Sequence, residues 1–455
     1  MEARVSQKRV RQVAADPLAI ERGVRQRLAD KIGDNMAGLW LLVPEHLRLG
    51  TWDLLCGWAK QAPKHLQPRL ALQLVHEAAL CTNGLRQGRC LTLRGFETLN
   101  GLPFLAGDLA VHELLDSRSV ADAQNLQVAL GKLRRVSGDY PGKLLVIDPH
   151  RPPSHSHRHM RKRQKDRASK PIKTAQIFFC LDGDSGQPVC FTAANSGRTV
   201  SHATPELLQL AAEILDPSPK ETLVAADTEH FTVELVDHVH LDTPFDLITP
   251  IPHRQSDQKR LRQIPPEAFT RHWAGYATAT VPYTPHHSRG APYYELAQRH
   301  GERPDDWHLN SFLATTDRDP VESLTGNYPK RWHIEEFFNF NQSLGWKRAG
   351  TMNINIRYGQ MTMALLAQTV IHRFRNRLGA PFAAWDADHL ASGLFRALDG
   401  DIRVVDDTIV VTYYNAPNQE RLRSHYEHLP AKLEAEGIEP RIPWLYGLQL
   451  DFRFR

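Results

Sequence analysis

The sequence predicts an α/β fold: a mixed sheet with helices on both faces, an N-terminal helical domain and an inserted β subdomain. Three observations carry this. Two short apolar runs, Lys143-Leu-Leu-Val-Ile147 and Glu221-Thr-Leu223-Val224-Ala-Ala226, each lead into an aspartate, Asp148 and Asp227, as buried strands do at their loop ends. Between and after them, strand-like and helix-like runs alternate. Before them, apolar residues recur at helical spacing for more than 100 residues.

Residues 1–135 are expected to be helical. Ile20, Val24, Leu28 and Ile32 recur every fourth position, as do Leu70 and Leu74, and Leu126, Leu130 and Leu133 continue the helical spacing. Asp108 is expected to cap a short helix through Leu115, and Ser119 to cap the next, which ends in Lys132, Arg134 and Arg135. Short helices with basic ends fit a DNA-binding region; the same pattern also suits a helical cap on the main core.

Residues 136–254 are expected to begin the core. Pro149 should stop the first strand. Thr174–Leu181 and Pro188–Ala194 read as a hairpin around Asp182-Gly-Asp184-Ser-Gly186. Thr204-Pro205 reads as a helix start, and Leu207, Leu208, Leu210, Ala211, Ile214 and Leu215 give that helix its buried stripe. The strand ending at Asp227 follows, then a helix near Thr232–Val239 and a strand over Phe245–Thr249. Strand, hairpin, helix, strand, helix, strand is the order found in ribonuclease-H-like folds.

Residues 255–318 hold Trp273, Tyr276, Tyr283, Tyr293, Tyr294 and Trp307 among short Thr/Ala/Val runs and prolines, which predicts the inserted β subdomain. Residues 319–380 resume the core with a helix around Glu335 and a long helix from Asn353 to Leu378, stopped by Gly379. Residues 381–455 form an α+β tail with a hairpin around Asp406-Asp407.

Composition sets outer limits. The chain has 455 residues, 41% hydrophobic and 24% charged, ample for several cores, and a net charge of +5. Its five cysteines form no CxxC pair, the first residues show no apolar signal segment, and no run approaches a membrane span. A reduced, cytoplasmic protein is expected, with no membrane partner. There is no Walker A loop and no GxGxxG, so no nucleotide cofactor is expected. His76-Glu-Ala-Ala-Leu80 lacks the second histidine of HExxH.

The chemistry concentrates in Tyr328-Pro-Lys-Arg331-Trp332-His-Ile-Glu335. On an α-helix, Tyr328, Arg331 and Glu335 lie at roughly 0°, 300° and 340°. One face would carry a phenol, a guanidinium and a carboxylate, while Ile334, Phe337, Phe338 and Asn341 face the core. Asp148, Asp227 and Glu335 are the candidate catalytic and metal-binding residues. Carboxylates that converge repel: one pair 4 Å apart costs roughly 4 kcal/mol at an effective dielectric of 20. Such a site calls for cations, and hard oxygen ligands select Mg²⁺, with Mn²⁺ as a substitute. Asp182 and Asp184 are rivals for the first position, although a tight turn also accounts for them. Glu336 points about 100° away from Glu335. Glu229 and His230 are close enough in sequence to assist Asp227, or serve only the loop.

These motifs resemble a DDE transposase of a bacterial insertion sequence, in the group with a Tyr-x2-Arg-x3-Glu-x6-Lys signature and a β insertion before the glutamate. The resemblance spans residues 100–378. It implies metal-dependent cleavage at transposon ends and transfer of the 3′-OH into target DNA, cut-and-paste transposition without ATP. It implies two Mg²⁺ ions held by Asp148, Asp227 and Glu335, phosphate contacts from Tyr328 and Arg331, and a homodimer that pairs two terminal inverted repeats. The family lysine falls at Gln342, with Lys347 and Arg348 as nearby substitutes. The basic connector with Arg158, Arg161, Lys162 and Arg163 suits DNA phosphates. Trp273 and Trp307 suit base stacking or the subdomain core. A bacterial, nucleoid-associated location follows from the resemblance. A nuclease or resolvase without strand transfer, or a domesticated DNA-binding protein, remains open; Gln342 leans toward the last.

Overall fold

The runs Gln176–Asp182, Pro188–Ala194 and Thr222–Ala226 are buried at every position. A strand with no exposed residue has both of its faces covered. The computed structural model, which describes residues 16–34, 36–62, 65–82, 94–154, 159–160, 162–163, 170–194, 197–290, 292–346, 351 and 353–455, places them so. The chain divides into two compact units, one made of Gly131–Phe338 and one of Met1–Leu130 with Asn339–Arg455.

The first unit is built on a nine-stranded sheet. Its strands are β1 (Leu144–His150), β2 (Gln176–Asp182), β3 (Pro188–Ala194), β4 (Thr222–Ala226), β5 (Phe245–Pro250), β6 (Thr270–Trp273), β7 (Tyr276–Tyr283), β8 (Tyr293–His300) and β9 (His308–Ala314). They lie in the order β3-β2-β1-β4-β5-β9-β8-β7-β6. β1, β4 and β5 are parallel; the β2–β3 hairpin flanks them on one side and an antiparallel meander on the other. The helices are α1 (Val200–Leu215), α2 (Val233–Asp242), α3 (Gln255–Leu261) and α4 (His333–Asn341).

Helices cover both faces. Cys180 and Cys190 are cross-strand partners, and the Cys190 thiol lies 3.6 Å from the Leu207 carbonyl, so α1 covers that face. Both cysteines are free and buried and serve as apolar packing. Phe179 and Phe191 share the opposite face, where Phe179 meets Phe337 and Phe338 of α4 at 5.9 and 5.1 Å.

Three expectations need correction. Residues 255–318, read as an inserted β subdomain, carry four strands but are not set apart from the core sheet. The pairs Phe312↔Pro250, Leu313↔Thr249 and Ala314↔Ile248 join the meander to β5, so it extends the core sheet. It keeps a small core of its own around Leu261, Phe269, Ala277, Ala279 and Ala297. Pro149 does not stop β1, which runs to His150. Gly183 N–H donates to Leu144 C=O, so even-numbered peptide groups of β1 face β2 and that of Pro149 faces the other side. There β4 has ended, since the parallel pairing stops at Ile147↔Ala226, and no ladder bond is lost. Finally, α1 begins at Val200, and Pro205 lies inside it instead of opening it.

The second unit joins the two ends of the chain. Ser119 and Asp122 cap the helix Val120–Val136 reciprocally, side chain to backbone N–H. Asn353 caps the helix Ile354–Leu378 by accepting from Asn355 N and Ile356 N, and Gly379 ends it at φ +66°. The strand Ile32–Asp34 pairs with Gly400–Val405 in a four-stranded sheet that continues through Thr408–Tyr413 to Gln449–Phe454. The regions 1–135 and 381–455, expected to be separate, therefore share one sheet. No helix among the described residues is long and apolar enough to cross a membrane.

Candidate active site

Strand register brings the two aspartates together. Ile147 pairs with Ala226 across the parallel β1–β4 ladder, so Asp148 on β1 and Asp227, the first residue past β4, come next to each other, about 5 Å apart by strand spacing. Asp148 is the cross-strand partner of Phe179 and shares its face, beneath α4; His150, two residues on, stacks against Phe338 at 4.2 Å.

Their surroundings set their protonation apart. Burial and the charge of Asp227 push the Asp148 carboxyl up to about 7, and Glu229 adds to this while Arg331 and Arg151 oppose it. Burial also acts to raise Asp227, but the hydrogen bond and charge of His230, with Arg331 and the Glu229 amide, outweigh it and hold Asp227 below its ordinary value. Arg331 Nη1 stands 4.0 Å from Asp148 Oδ2. Tyr328 lies against Arg331, its phenol raised by burial, and packs edge-on to Phe312 at 4.7 Å.

The stretch that bears Tyr328 and Arg331 is not the regular α-helix expected. A π-helical turn covers Glu322–Asn327, a 3₁₀ turn covers Tyr328–Trp332, and only from His333 does α4 begin. Pro329 near the start of the 3₁₀ turn breaks the register. Residues three apart in such a turn eclipse, so Tyr328 and Arg331 share one side, while Glu335 lies about 70° further round. The stretch is pinned to the β2–β3 turn: Lys330 donates to Asp184 Oδ1 at 2.6 Å and His333 Nδ1 to the Gly183 carbonyl at 2.7 Å.

Asp148, Asp227, Tyr328 and Arg331 are thus gathered. Glu335 is exposed at the start of α4, and among the described residues no three His, Cys, Asp or Glu side chains stand close enough to hold a metal ion. The pair nonetheless has the chemistry of a cation site: two adjacent carboxylates, one pushed up to about 7 by burial and by the charge of the other. Asp182 is a turn residue; fully buried, it accepts from Gly142 N, Asp184 N and Ser185 N.

Residues 139–370, just over half of the chain, match the family described as the transposase DDE domain. The chain belongs to that family. No curated protein sequence matches it. Among solved structures it is similar to a cryo-EM structure of the piggyBac transposase synaptic complex with hairpin DNA, with 10% identity and a TM-score of 0.42 over 80% of this chain and 82% of that one.

The expected DNA contacts of this transposase-family chain are less well placed. Gln342 opens a 3₁₀ turn, Gln342–Leu344, half-buried. Lys162 is exposed in a two-residue ribbon paired with Lys173. Arg158, Arg161, Lys347, Arg348 and the side chain of Arg163 lie outside the described residues. Trp273 is 50% exposed and stacked on Tyr276 at 4.4 Å, so it is not subdomain core; Trp307 is half-buried with the Arg299 guanidinium 4.0 Å from its ring. Trp332, beside Arg331, is 56% exposed. Arg151 was not foreseen: it ion-pairs with Glu229 and so ties the end of β1 to the turn after Asp227. The only trace in sequence is its place three residues past Asp148.

Proposed function

We propose that this protein is a DNA transposase that cleaves at transposon ends and transfers the 3′-OH into target DNA, on a ribonuclease-H-like core of the insertion-sequence type. The observation that carries the reading is the Asp148–Asp227 pair at adjacent parallel strand ends, with Arg331 and Tyr328 above it. Asp148 and Asp227 would hold Mg²⁺ or Mn²⁺, with Glu335 as third carboxylate. The bound ions supply charge neutralisation and activation of the attacking oxygen at the phosphodiester.

The chain's own residues do the rest. Arg331 donates to a non-bridging phosphate oxygen with its fork of N–H groups, and Tyr328 donates its phenolic proton beside it. When Arg331 turns from Asp148 to phosphate, the pair loses its nearest cation and its demand for a metal rises. Glu335, exposed at the start of α4, would complete the set by closing on the pair. Two protomers pair the terminal inverted repeats, and the DNA substrate places the protein at the nucleoid if the source is bacterial, as the resemblance implies.

The decisive experiment uses labelled duplexes bearing the element's terminal repeats. Glu335→Gln should abolish Mg²⁺-dependent end cleavage while a gel shift with the same duplex persists. Normal cleavage by that variant sinks the assignment. Cut products that never join a target would favour a nuclease without strand transfer.

A further inference from the structure

The two aspartates are held differently. Among the described residues no hydrogen bond reaches the carboxylate of Asp148, whose nearest cation is Arg331 at 4.0 Å. Asp227 is anchored, and always by the same oxygen: Oδ1 accepts from Glu229 N at 3.0 Å and from His230 Nδ1 at 2.6 Å. The backbone amide alone would satisfy the role of a turn cap. The imidazole is a second donor to an oxygen already capped.

That imidazole is enclosed, and the backbone that carries it is hydrogen-bonded on both sides. Its side chain is 2% exposed. His230 N donates to Asp227 C=O at 3.1 Å, Thr232 N donates to His230 C=O at 2.9 Å, and Thr249 Oγ1 of β5 donates to Asp227 C=O at 2.8 Å. An ionised carboxylate only accepts, so Nδ1 carries the proton. The carboxylate is clamped on one side with its other oxygen uncommitted.

We infer that His230 is a positioning residue: its Nδ1–H locks Oδ1 of Asp227 and leaves Oδ2 as the oxygen offered to a divalent cation shared with Asp148. The inference rests on the reading of the pair as a metal site. It explains why a buried histidine follows the second aspartate at i+3: the short 3₁₀ turn Thr228–His230 brings the ring back over residue 227. Partners that orient a ligating group commonly matter by about 10–100-fold in metal affinity.

The test is Mn²⁺ binding to the full-length protein, measured by calorimetry, with melting temperature in EDTA recorded for every variant. His230→Asn keeps an N–H donor near the Nδ1 position; His230→Gln moves it toward Nε2; His230→Leu removes it. Leu and Gln should weaken Mn²⁺ binding by about 10–100-fold, and Asn should restore most of it. Leu binding Mn²⁺ as wild type does, or Asn doing no better than Gln, overturns the inference. Should Leu fail to fold, the Asn–Gln comparison decides. Asp148→Asn and Asp227→Asn provide the separate control: undiminished Mn²⁺ binding by both overturns the metal-site reading and the inference with it, whereas loss in these with no effect at His230 overturns the inference alone.

Discussion

At the scale of single residues, the Asp148 carboxyl couples the site to pH. Its value near 7 lies far above that of an unfolded aspartate, so between roughly pH 4 and 7 the folded state binds the extra proton. Stability therefore falls as pH rises through that window, by at most about 4 kcal/mol for three pK units. Asp148→Asn, which never ionises, should melt higher than wild type at pH 8 in EDTA, with the gain shrinking toward zero near pH 4.5. Thermal melts at both pH values check this, and an offset independent of pH contradicts it. Both aspartates were legible in the sequence: an acid closing one apolar run is ordinary, whereas two such runs followed by a helical glutamate are not. Their adjacency was not legible, because it depends on the register Ile147↔Ala226, a contact between segments about 80 residues apart. Nor was the asymmetry, since what His230 does depends on a three-residue turn that spacing alone does not fix.

At the scale of elements, the stretch Tyr328–Glu335 shows what periodicity reads well and badly. It reads the core stripe of α4 well: Ile334, Phe337 and Asn341 are buried and Phe338 is half-buried. It misreads the polar face, because a pattern assuming about 100° per residue cannot register a π turn followed by a 3₁₀ turn. What fixes the stretch is the β2–β3 turn, through Lys330–Asp184 and His333 to the Gly183 carbonyl. Gly183 is the tight point there, since a Cβ would stand 2.8 Å from the Leu144 side chain and 3.2 Å from Val146 Cγ1. Gly183→Ala should cost about 1–3 kcal/mol as the buried neighbours shift, while Lys330→Ala, which breaks a partly exposed ion pair, should cost under about 1 kcal/mol. Urea melts of the two variants test the order; a Gly183→Ala protein as stable as wild type would show that the turn is not what sets the stretch in place. The meander failed to read as core for a related reason: its strands alternate plausibly on their own, and only the pairing of β9 with β5 decides where they belong.

At the scale of the whole molecule, the tail expected over residues 381–455 is structural to the beginning of the chain. Gly400–Val405 supplies the partner strand of Ile32–Asp34. Trp444, 1% exposed, donates from Nε1 to the Leu99 carbonyl at 2.9 Å. The buried Arg69 donates to the carbonyl of Gly101, against which Tyr446 also places its hydroxyl at 3.0 Å. A chain cut at residue 380 thus leaves the N-terminal helices with unpaired strand edge, exposed apolar surface and a buried guanidinium that keeps only part of its surroundings. The nine-stranded sheet of Gly131–Phe338 is built from that unit's own strands. Limited proteolysis of the truncated chain, read by mass spectrometry, should therefore digest residues before 131 and leave a protected fragment that contains Asp148, Asp227 and Glu335. N-terminal helices that stay protected without residues 381–455 would contradict the shared sheet as their support. A protected fragment that loses Asp148 would contradict the independence of the unit carrying the candidate site.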